Sequence, residues 1–152
     1  MTLHGAHLYQ MNGLGNKILI FDRRTDETPI DPKEVVQIHH TPTFAFDQMM
    51  VLRAPRTLGT LSYVQIYNSD GTEARACGNG TRCVAWYLYK QHGQASFTIE
   101  TVAGILVCER ESEWQFRIDM GEPKLLWNEI PLAKEYDTLS VPILMSTSVH
   151  LP

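Results

Sequence analysis

The chain has 152 residues, of which 43% are hydrophobic and 20% are charged, and its formal net charge is −4. This composition is typical of a folded globular protein, and a negative charge without a basic cluster argues against nucleic acid as a partner. No apolar run approaches the roughly 20 residues of a membrane span, and no signal-peptide pattern opens the chain, so we expect a cytoplasmic protein without membrane contact.

Most of the chain has the pattern of short strands. Apolar, β-branched or alternating runs predict strands at residues 8–11, 17–22, 48–53, 61–67, 96–102, 105–110 and 114–120. The last three are separated by short turns and predict an antiparallel meander. Between the second and third strands, Asp31-Pro32-Lys33-Glu34 predicts a helix start, because Asp is a favoured cap and Pro is favoured at the first helical position.

A second helix is predicted over residues 79–92, with Gly93 at its C-terminal end. This helix is nearly apolar all round, so it must be enclosed by other elements. The predicted fold class is therefore α+β, with a curled, mostly antiparallel sheet or barrel around a central apolar helix. The periodicity weakens after residue 120, which predicts an N-terminal domain over 1–120 and the start of a second, truncated domain over 121–152.

Cys77 lies in a glycine-rich turn that opens the central helix. Backbone N–H groups and the positive end of the helix dipole converge at such a position. A thiol there is readily ionised, and an anion is readily bound. Gly78 and Gly80 would let a ligand approach the backbone closely, whereas Cys83 lies deeper in the helix and is expected in the core. The segment indicates chemistry on a small carboxylate.

The three cysteines are expected to be reduced thiols. Cys77 and Cys83 are separated by ~9 Å of helical rise, beyond the ~7 Å Cα limit for a disulfide. Neither their spacing nor the lone Cys108 fits a zinc site, so no metal is expected. No cofactor is predicted either, because Gly13-Leu14-Gly15 lacks the third glycine of a dinucleotide-binding loop.

Three motifs resemble those of the diaminopimelate epimerase family, in the family's order. They are Met11-Asn12-Gly13-Leu14-Gly15-Asn16, then Phe46-Asp47-Gln48, then Asn68-Ser69-Asp70-Gly71-Thr72-Glu73 leading into Cys77-Gly78-Asn79-Gly80-Thr81-Arg82-Cys83. The resemblance covers about residues 9 to 121. The chain departs from the family at Lys17-Ile18, where an acidic residue and an aromatic are usual, and at Thr43-Phe44-Ala45, where a glycine is usual.

The resemblance implies two similar α/β halves, each a curled sheet around a helix, with the active site between them. It implies cofactor-independent epimerisation of LL- to meso-diaminopimelate, which supplies lysine and peptidoglycan precursors in bacteria. Two cysteines would act as alternating acid and base, and Cys77 would be one of them. The second cysteine-bearing half is not in these 152 residues, so we expect the chain alone to be inactive.

The resemblance also implies substrate contacts. They are assigned to Asn16, Gln48, Asn68, Gly78 and Asn79. Neutral amides suit an amino-acid substrate, because they satisfy a carboxylate or an ammonium group without adding charge. The residues alone leave a second explanation open, since amides beside turns commonly bond to the local backbone.

Two other functions remain open. One is a different two-cysteine racemase, acting on proline or hydroxyproline, although Asn79 beside Cys77 favours the epimerase. The other is a non-catalytic half-module that holds a carboxylate. A second Cys-Gly-x-Gly block further along the reading frame would favour an enzyme. Since the face bearing Cys77 would normally be covered by the second half, we expect exposed apolar surface and a homo-oligomer.

Overall fold

The computed structural model describes residues 7–130 and 132–142. The strands in these ranges are β1 (Leu8–Gly13), β2 (Asn16–Asp22), β3 (Gln48–Arg53), β4 (Thr60–Asn68), β5 (Glu73–Ala74), β6 (Ser96–Thr101), β7 (Gly104–Arg110) and β8 (Phe116–Asp119). The helices are α1 (Pro32–His39) and α2 (Gly78–His92), and two short 3-10 turns are Pro42–Phe44 and Trp127–Glu129. Seven of these strands coincide with predicted runs. The two-residue β5, inside a polar turn, has no pattern that would predict it.

One sheet joins all the strands. Its order is β1-β2-β3-β4-β6-β7-β8, with the short β5 added beside β4. Only the β2–β3 and β4–β6 pairs among these described strands are parallel, and the other neighbours run antiparallel. The predicted fold class is confirmed: a mostly antiparallel sheet curls around one central helix.

Strand β3 is apolar from Met49 to Leu52 because both of its faces are covered there. Met50 and Leu52 belong to the core around α2, whereas Met49 and Val51 belong to a second core that includes Val35 of α1. All five side chains are fully buried. A strand buried on both faces has a continuous hydrophobic run in place of an alternating pattern.

Helix α2 begins and ends where the sequence predicts. Cys77 is its N-cap, and Gly93 ends it in the left-handed conformation, with φ of 70° and its N–H bonded to the carbonyl of Tyr89. Glycine adopts this conformation without the steric cost that a side chain would bring. Val84, Ala85 and Leu88 have no exposed surface, so the sheet covers this side of the helix, whereas Arg82 and Lys90 are exposed.

The chain divides into two compact units, Met1–Met120 and Gly121–Pro152. In the second unit, the described residues include the 3-10 turn Trp127–Glu129 and the largely exposed side chains of Leu125, Leu126 and Leu139. The sequence-based expectation of a truncated second domain rests partly on residues 131 and 143–152, which lie outside the described residues. Among the described residues, no helix has the length and apolar character to cross a membrane.

Candidate active site

Three predicted amide residues lie at one edge of the sheet. Asn16 begins β2, Gln48 begins β3 and Asn68 ends β4. Since β2 and β3 run parallel and β4 runs antiparallel to β3, these strand ends meet at the same edge. Gln48 is paired directly with Asn68 in the β3–β4 register. The N-terminus of α2 reaches this edge, because the side chain of Asn79 contacts Asn16.

The thiol of Cys77 is held by contacts on two sides. Its Sγ accepts a hydrogen bond from the backbone N–H of Gly80 at 3.3 Å, and the thiol can donate to Oε1 of Gln48 at 3.7 Å. The carbonyl of Cys77 accepts bonds from both the N–H and the hydroxyl of the buried Thr81, each at 2.8 Å. These contacts fix the sulfur atom at the N-terminus of α2, beside the amide of Gln48.

The other two cysteines are packed in the core. Cys83 is 5% exposed and Cys108 is fully buried, and all three cysteines are free thiols. Burial raises the pKa of Cys83 to about 11 and that of Cys108 to about 12. Both thiols therefore stay protonated near neutral pH. Cys77, which is only partly buried, is the thiol that can meet a ligand.

The two glycines after Cys77 have different roles. A Cβ added at Gly78 would meet no atom within 4 Å, so a ligand can approach the backbone there. A Cβ at Gly80 would lie 2.6 Å from Sδ of Met50 and 3.1 Å from Sγ of Cys77. The expectation that Gly80 admits a ligand is therefore wrong. Its missing side chain lets the buried Met50 and the thiol pack against the helix.

A second polar contact joins the first hairpin to α2. Nδ2 of Asn79 donates to Oδ1 of Asn16 at 2.6 Å, and Nη1 of Arg82 donates to Oδ1 of Asn79 at 2.9 Å. The hairpin approaches so closely that a Cβ at Gly13 would lie 2.9 Å from the carbonyl oxygen of Asn79. Sequence reasoning did not single out Arg82. Its spacing of three from Asn79 on a helix, which places both on one face, was the available signal.

Asn68 has a local role in this structure. Its Nδ2 donates to the hydroxyl of Thr72 at 3.1 Å, and that hydroxyl donates to Oδ1 of Asp70 at 2.6 Å. Hydrogen bonds from the side chain and backbone of Thr72 lower the pKa of Asp70, so the loop carries a fixed carboxylate. The structure thus brings Cys77 and Gln48 together, and Asn16 and Asn79 together. It places Asn68 beside Gln48 with one of the two amide N–H groups of Asn68 bonded to Thr72.

A cavity of about 930 Å³ lies away from the thiol. It runs between β1 and the 111–116 segment and rests on α2, with Tyr9, Met11, Arg82, Trp86, Trp114 and Phe116 among its lining residues. The rings of Trp86 and Trp114 stack there with centroids 5.2 Å apart. Neither Cys77 nor Gln48 lines this cavity. We place the candidate active site at the N-terminus of α2, where Cys77 and Gln48 lie together, and not in this cavity.

The fold has solved counterparts. A PhzC/PhzF phenazine biosynthesis protein from Clostridium difficile matches with a TM-score of 0.53 and 14% identity, covering 71% of this chain and 41% of that one. A PhzF-family phenazine biosynthesis protein from Bacillus anthracis matches with a TM-score of 0.50 and 21% identity, covering 74% of this chain and 38% of that one. At these identities the similarity shows the fold alone.

Sequence comparison shows the family. The family model for diaminopimelate epimerase matches residues 8–126. The diaminopimelate epimerase of Brucella anthropi is 43% identical over 95% of this chain and 51% of its own length. That of Methylocella silvestris is 46% identical over 83% of this chain and 43% of its own length. The chain spans about half the length of the curated relatives it matches, and it belongs to the diaminopimelate epimerase family.

Proposed function

We propose that this chain supplies half of a diaminopimelate epimerase active site, with Cys77 as one of two proton-transfer bases. The observation that carries the proposal is the position of the Cys77 thiol. It lies at the N-cap of α2, with a backbone donor on Sγ and a neutral amide beside it. A cysteine packed only as a core residue, such as Cys108, has no such surroundings.

The carboxylate on the reacting α-carbon of the substrate fits the start of α2. The first N–H groups of a helix have no intrahelical acceptor, so those of Gly78 and Asn79 are available to an anion. The open space around Gly78 permits the close approach that such bonds need. Donors fixed in this way stabilise the negative charge that spreads onto the carboxylate when the α-proton leaves.

The proton balance requires two groups on opposite faces of the α-carbon. The thiolate of Cys77 takes the α-proton, the C–H bonding electrons pass into the carboxylate, and an acid on the other face delivers a new proton to carbon. Because Cys77 is the one cysteine of the three that is not buried, this proposal leaves the 152-residue chain able to return a proton only to the face it came from. We propose that the chain alone does not invert diaminopimelate, and that no cofactor enters the reaction.

The test compares the chain with a chimera in which it replaces the aligned half of the Brucella anthropi relative. In deuterated water, the chimera should exchange the α-proton of diaminopimelate and invert the centre, and the chain alone should give no inversion. Cys77→Ser in the chimera should lower the rate by about 10²–10⁴-fold, as loss of a positioned base does, while Cys108→Ser should leave it nearly unchanged.

Other outcomes point to the other functions. Exchange on proline with none on diaminopimelate would favour a proline racemase. Binding of diaminopimelate by the chimera, with no exchange at any pH, would favour a carboxylate-binding module. Inversion by the chain alone would contradict the two-base proposal, because Cys83 and Cys108 are both buried.

We also propose that residues 121–152 begin a second domain and that the chain self-associates. Large apolar side chains are exposed on the first unit, among them Leu14 at 85%, Trp114 at 69% and Ile105 at 53%. Apolar surface of this kind commonly finds a partner, and a two-fold dimer is the commonest arrangement. Light scattering that gives the mass of a monomer, 17.3 kDa, at high concentration would contradict this.

A further inference from the structure

Arg82 donates a hydrogen bond to Asn79 at the candidate active site. The inference drawn from this bond rests on the proposed function. We infer that Arg82 is a positioning residue, which fixes the direction of two amide side chains so that Asn16 offers its NH2 group to the substrate carboxylate. Arg82 makes no hydrogen bond to Cys77 or to Gln48 among the described residues. Its role is to act through Asn79.

The first step follows from the chemistry of arginine. A guanidinium group can donate hydrogen bonds but cannot accept them. Nη1 of Arg82 lies 2.9 Å from Asn79, so the atom of Asn79 that faces it must be the carbonyl oxygen. An isolated amide side chain can turn over and exchange its oxygen and nitrogen positions. Beside Arg82 only one of these two arrangements is favourable.

The second step concerns the orientation of the Asn16 amide. With its oxygen on Arg82, Asn79 presents its NH2 to the hairpin, where it lies 2.6 Å from Asn16. Asn16 must then present its oxygen to Asn79. Its own NH2 makes no hydrogen bond with any other residue in ranges 7–130 and 132–142, and the side chain is only half-buried. The series of bonds therefore ends in a free, accessible donor.

The third step concerns ligand chemistry. A donor at Asn16 suits an oxyanion and cannot accept a bond from an ammonium group. Hydrogen bonds arranged in series polarise one another, so the charge on Arg82 strengthens the terminal donor. Without Arg82, Asn79 and Asn16 can reverse together with no loss of their mutual bond, and Asn16 then presents an oxygen. The arginine thus decides whether this position prefers a carboxylate.

The bonding direction can be tested on the unaltered 152-residue chain before any ligand is added. In side-chain ¹⁵N–¹H spectra, we expect a nuclear Overhauser contact from the NH2 protons of Asn79 to the β-protons of Asn16. We also expect a downfield shift for the bonded Asn79 proton. Arg82→Met should reduce this shift and add a second set of amide signals, whereas Arg82→Lys, which keeps a donor, should restore the single set.

Binding provides the second measurement. In the chimera defined above, Arg82→Met should weaken diaminopimelate binding about tenfold, roughly what loss of a hydrogen bond to a charged group brings. Arg82→Lys should recover most of this affinity. Asn16→Asp, which cannot donate, should lose at least as much as Arg82→Met. Arg117→Met is the matched control, because Arg117 is exposed and paired with Glu109 on the last hairpin.

The outcomes separate this inference from the proposed function. Unchanged Asn79 and Asn16 amide signals in Arg82→Met would overturn the positioning role, whatever the activity of the enzyme. Equal binding by Arg82→Met and the parent chimera would overturn it as well. If the amide signals respond as expected but the parent chimera neither binds nor exchanges diaminopimelate, the proposed function fails and the bonding direction stands.

Discussion

The backbone N–H of Gly80 points at Sγ of Cys77 from 3.3 Å, so a sulfur atom serves as the N-terminal cap of α2. Caps of this kind are usually oxygen atoms, which bond to such N–H groups more strongly than a thiol does. The sulfur atom that caps the helix is also the atom proposed to act as a base. The structure of the helix start and the proposed chemistry therefore depend on the same side chain.

The first prediction concerns thiol reactivity. Between pH 7 and 9, iodoacetamide should modify Cys77 rapidly and the other two cysteines slowly, because burial raises the pKa of Cys83 to about 11 and of Cys108 to about 12. Stopped-flow alkylation followed by mass spectrometry measures both rates. Cys77→Ser should abolish the fast phase, and Cys83→Ser and Cys108→Ser should retain it. A fast phase that survives Cys77→Ser would refute the assignment.

The second prediction concerns the neighbour of the thiol. Oε1 of Gln48 lies 3.7 Å from Sγ. Gln48→Glu would place a carboxylate there, and like-charge repulsion disfavours the thiolate. Alkylation at pH 7 should slow about tenfold, since unit charges near 4 Å interact by roughly 1–4 kcal/mol in polar surroundings. Gln48→Met, the uncharged control, should change the rate less than about threefold. Equal alkylation rates for Gln48→Glu and Gln48→Met would show that the side chain at position 48 does not lie beside the thiol in solution.

The third prediction uses two glycine-to-alanine substitutions. Gly13→Ala should destabilise the protein by about 1–3 kcal/mol, because its Cβ would lie 2.9 Å from a backbone oxygen of Asn79 that has no rotamer to escape. Gly78→Ala is the matched control, with no atom within 4 Å of the added carbon, and should change stability by less than about 1 kcal/mol. Urea unfolding measures both. A reversed order would contradict the docking of the hairpin on α2.

Local pattern predicted the secondary structure well, because its signals are local. Cys77 and Gly93 mark the two ends of α2 through the requirements of a cap and a left-handed residue. The apolar runs gave seven strands. The two-residue β5 exists only because β4 lies beside it, and nothing within Glu73–Ala74 indicates a strand.

The site was predicted less completely, because its geometry depends on residues far apart in the chain. A glycine is needed at position 80 because the side chain of Met50 packs against the N-terminus of the helix. Met50 lies thirty positions earlier, on β3, and reaches this place only when the sheet curls. Asn68 matches the family motif, yet the sequence could not show that one N–H of its amide bonds to the nearby Thr72. Arg82 was missed because an exposed arginine on a helix is ordinary until its partner Asn79 is seen to contact Asn16.

The last prediction concerns the pH dependence of stability and the hydrogen bond between Asp22 of β2 and Tyr87 of α2. Asp22 accepts bonds from Arg24, at 2.6 and 2.9 Å, and from the hydroxyl of Tyr87, at 3.0 Å. Burial tends to raise the pKa of Asp22, but the bonds from Arg24 and Tyr87 outweigh it, and the pKa is lowered. A lowered folded-state pKa means that the ionised carboxylate stabilises the native protein at pH values above its unfolded-state pKa, near 4.

Asp22→Asn should therefore lower the free energy of unfolding by about 1.5–3 kcal/mol at pH 7, the usual range for hydrogen bonds to a charged group. The difference from the unaltered chain should hold down to about pH 5 and then shrink as the pH falls through the folded-state pKa. Tyr87→Phe should lower the free energy of unfolding by about 1 kcal/mol at pH 7. Glu111→Gln, which removes an exposed ion pair with Arg117 at 3.8 Å, should lower it by less than about 0.5 kcal/mol. Urea unfolding from pH 3 to 8 measures all three variants. A difference for Asp22→Asn that grows as the pH falls would show that this carboxylate destabilises the fold, and the account of the bond between β2 and α2 would be wrong.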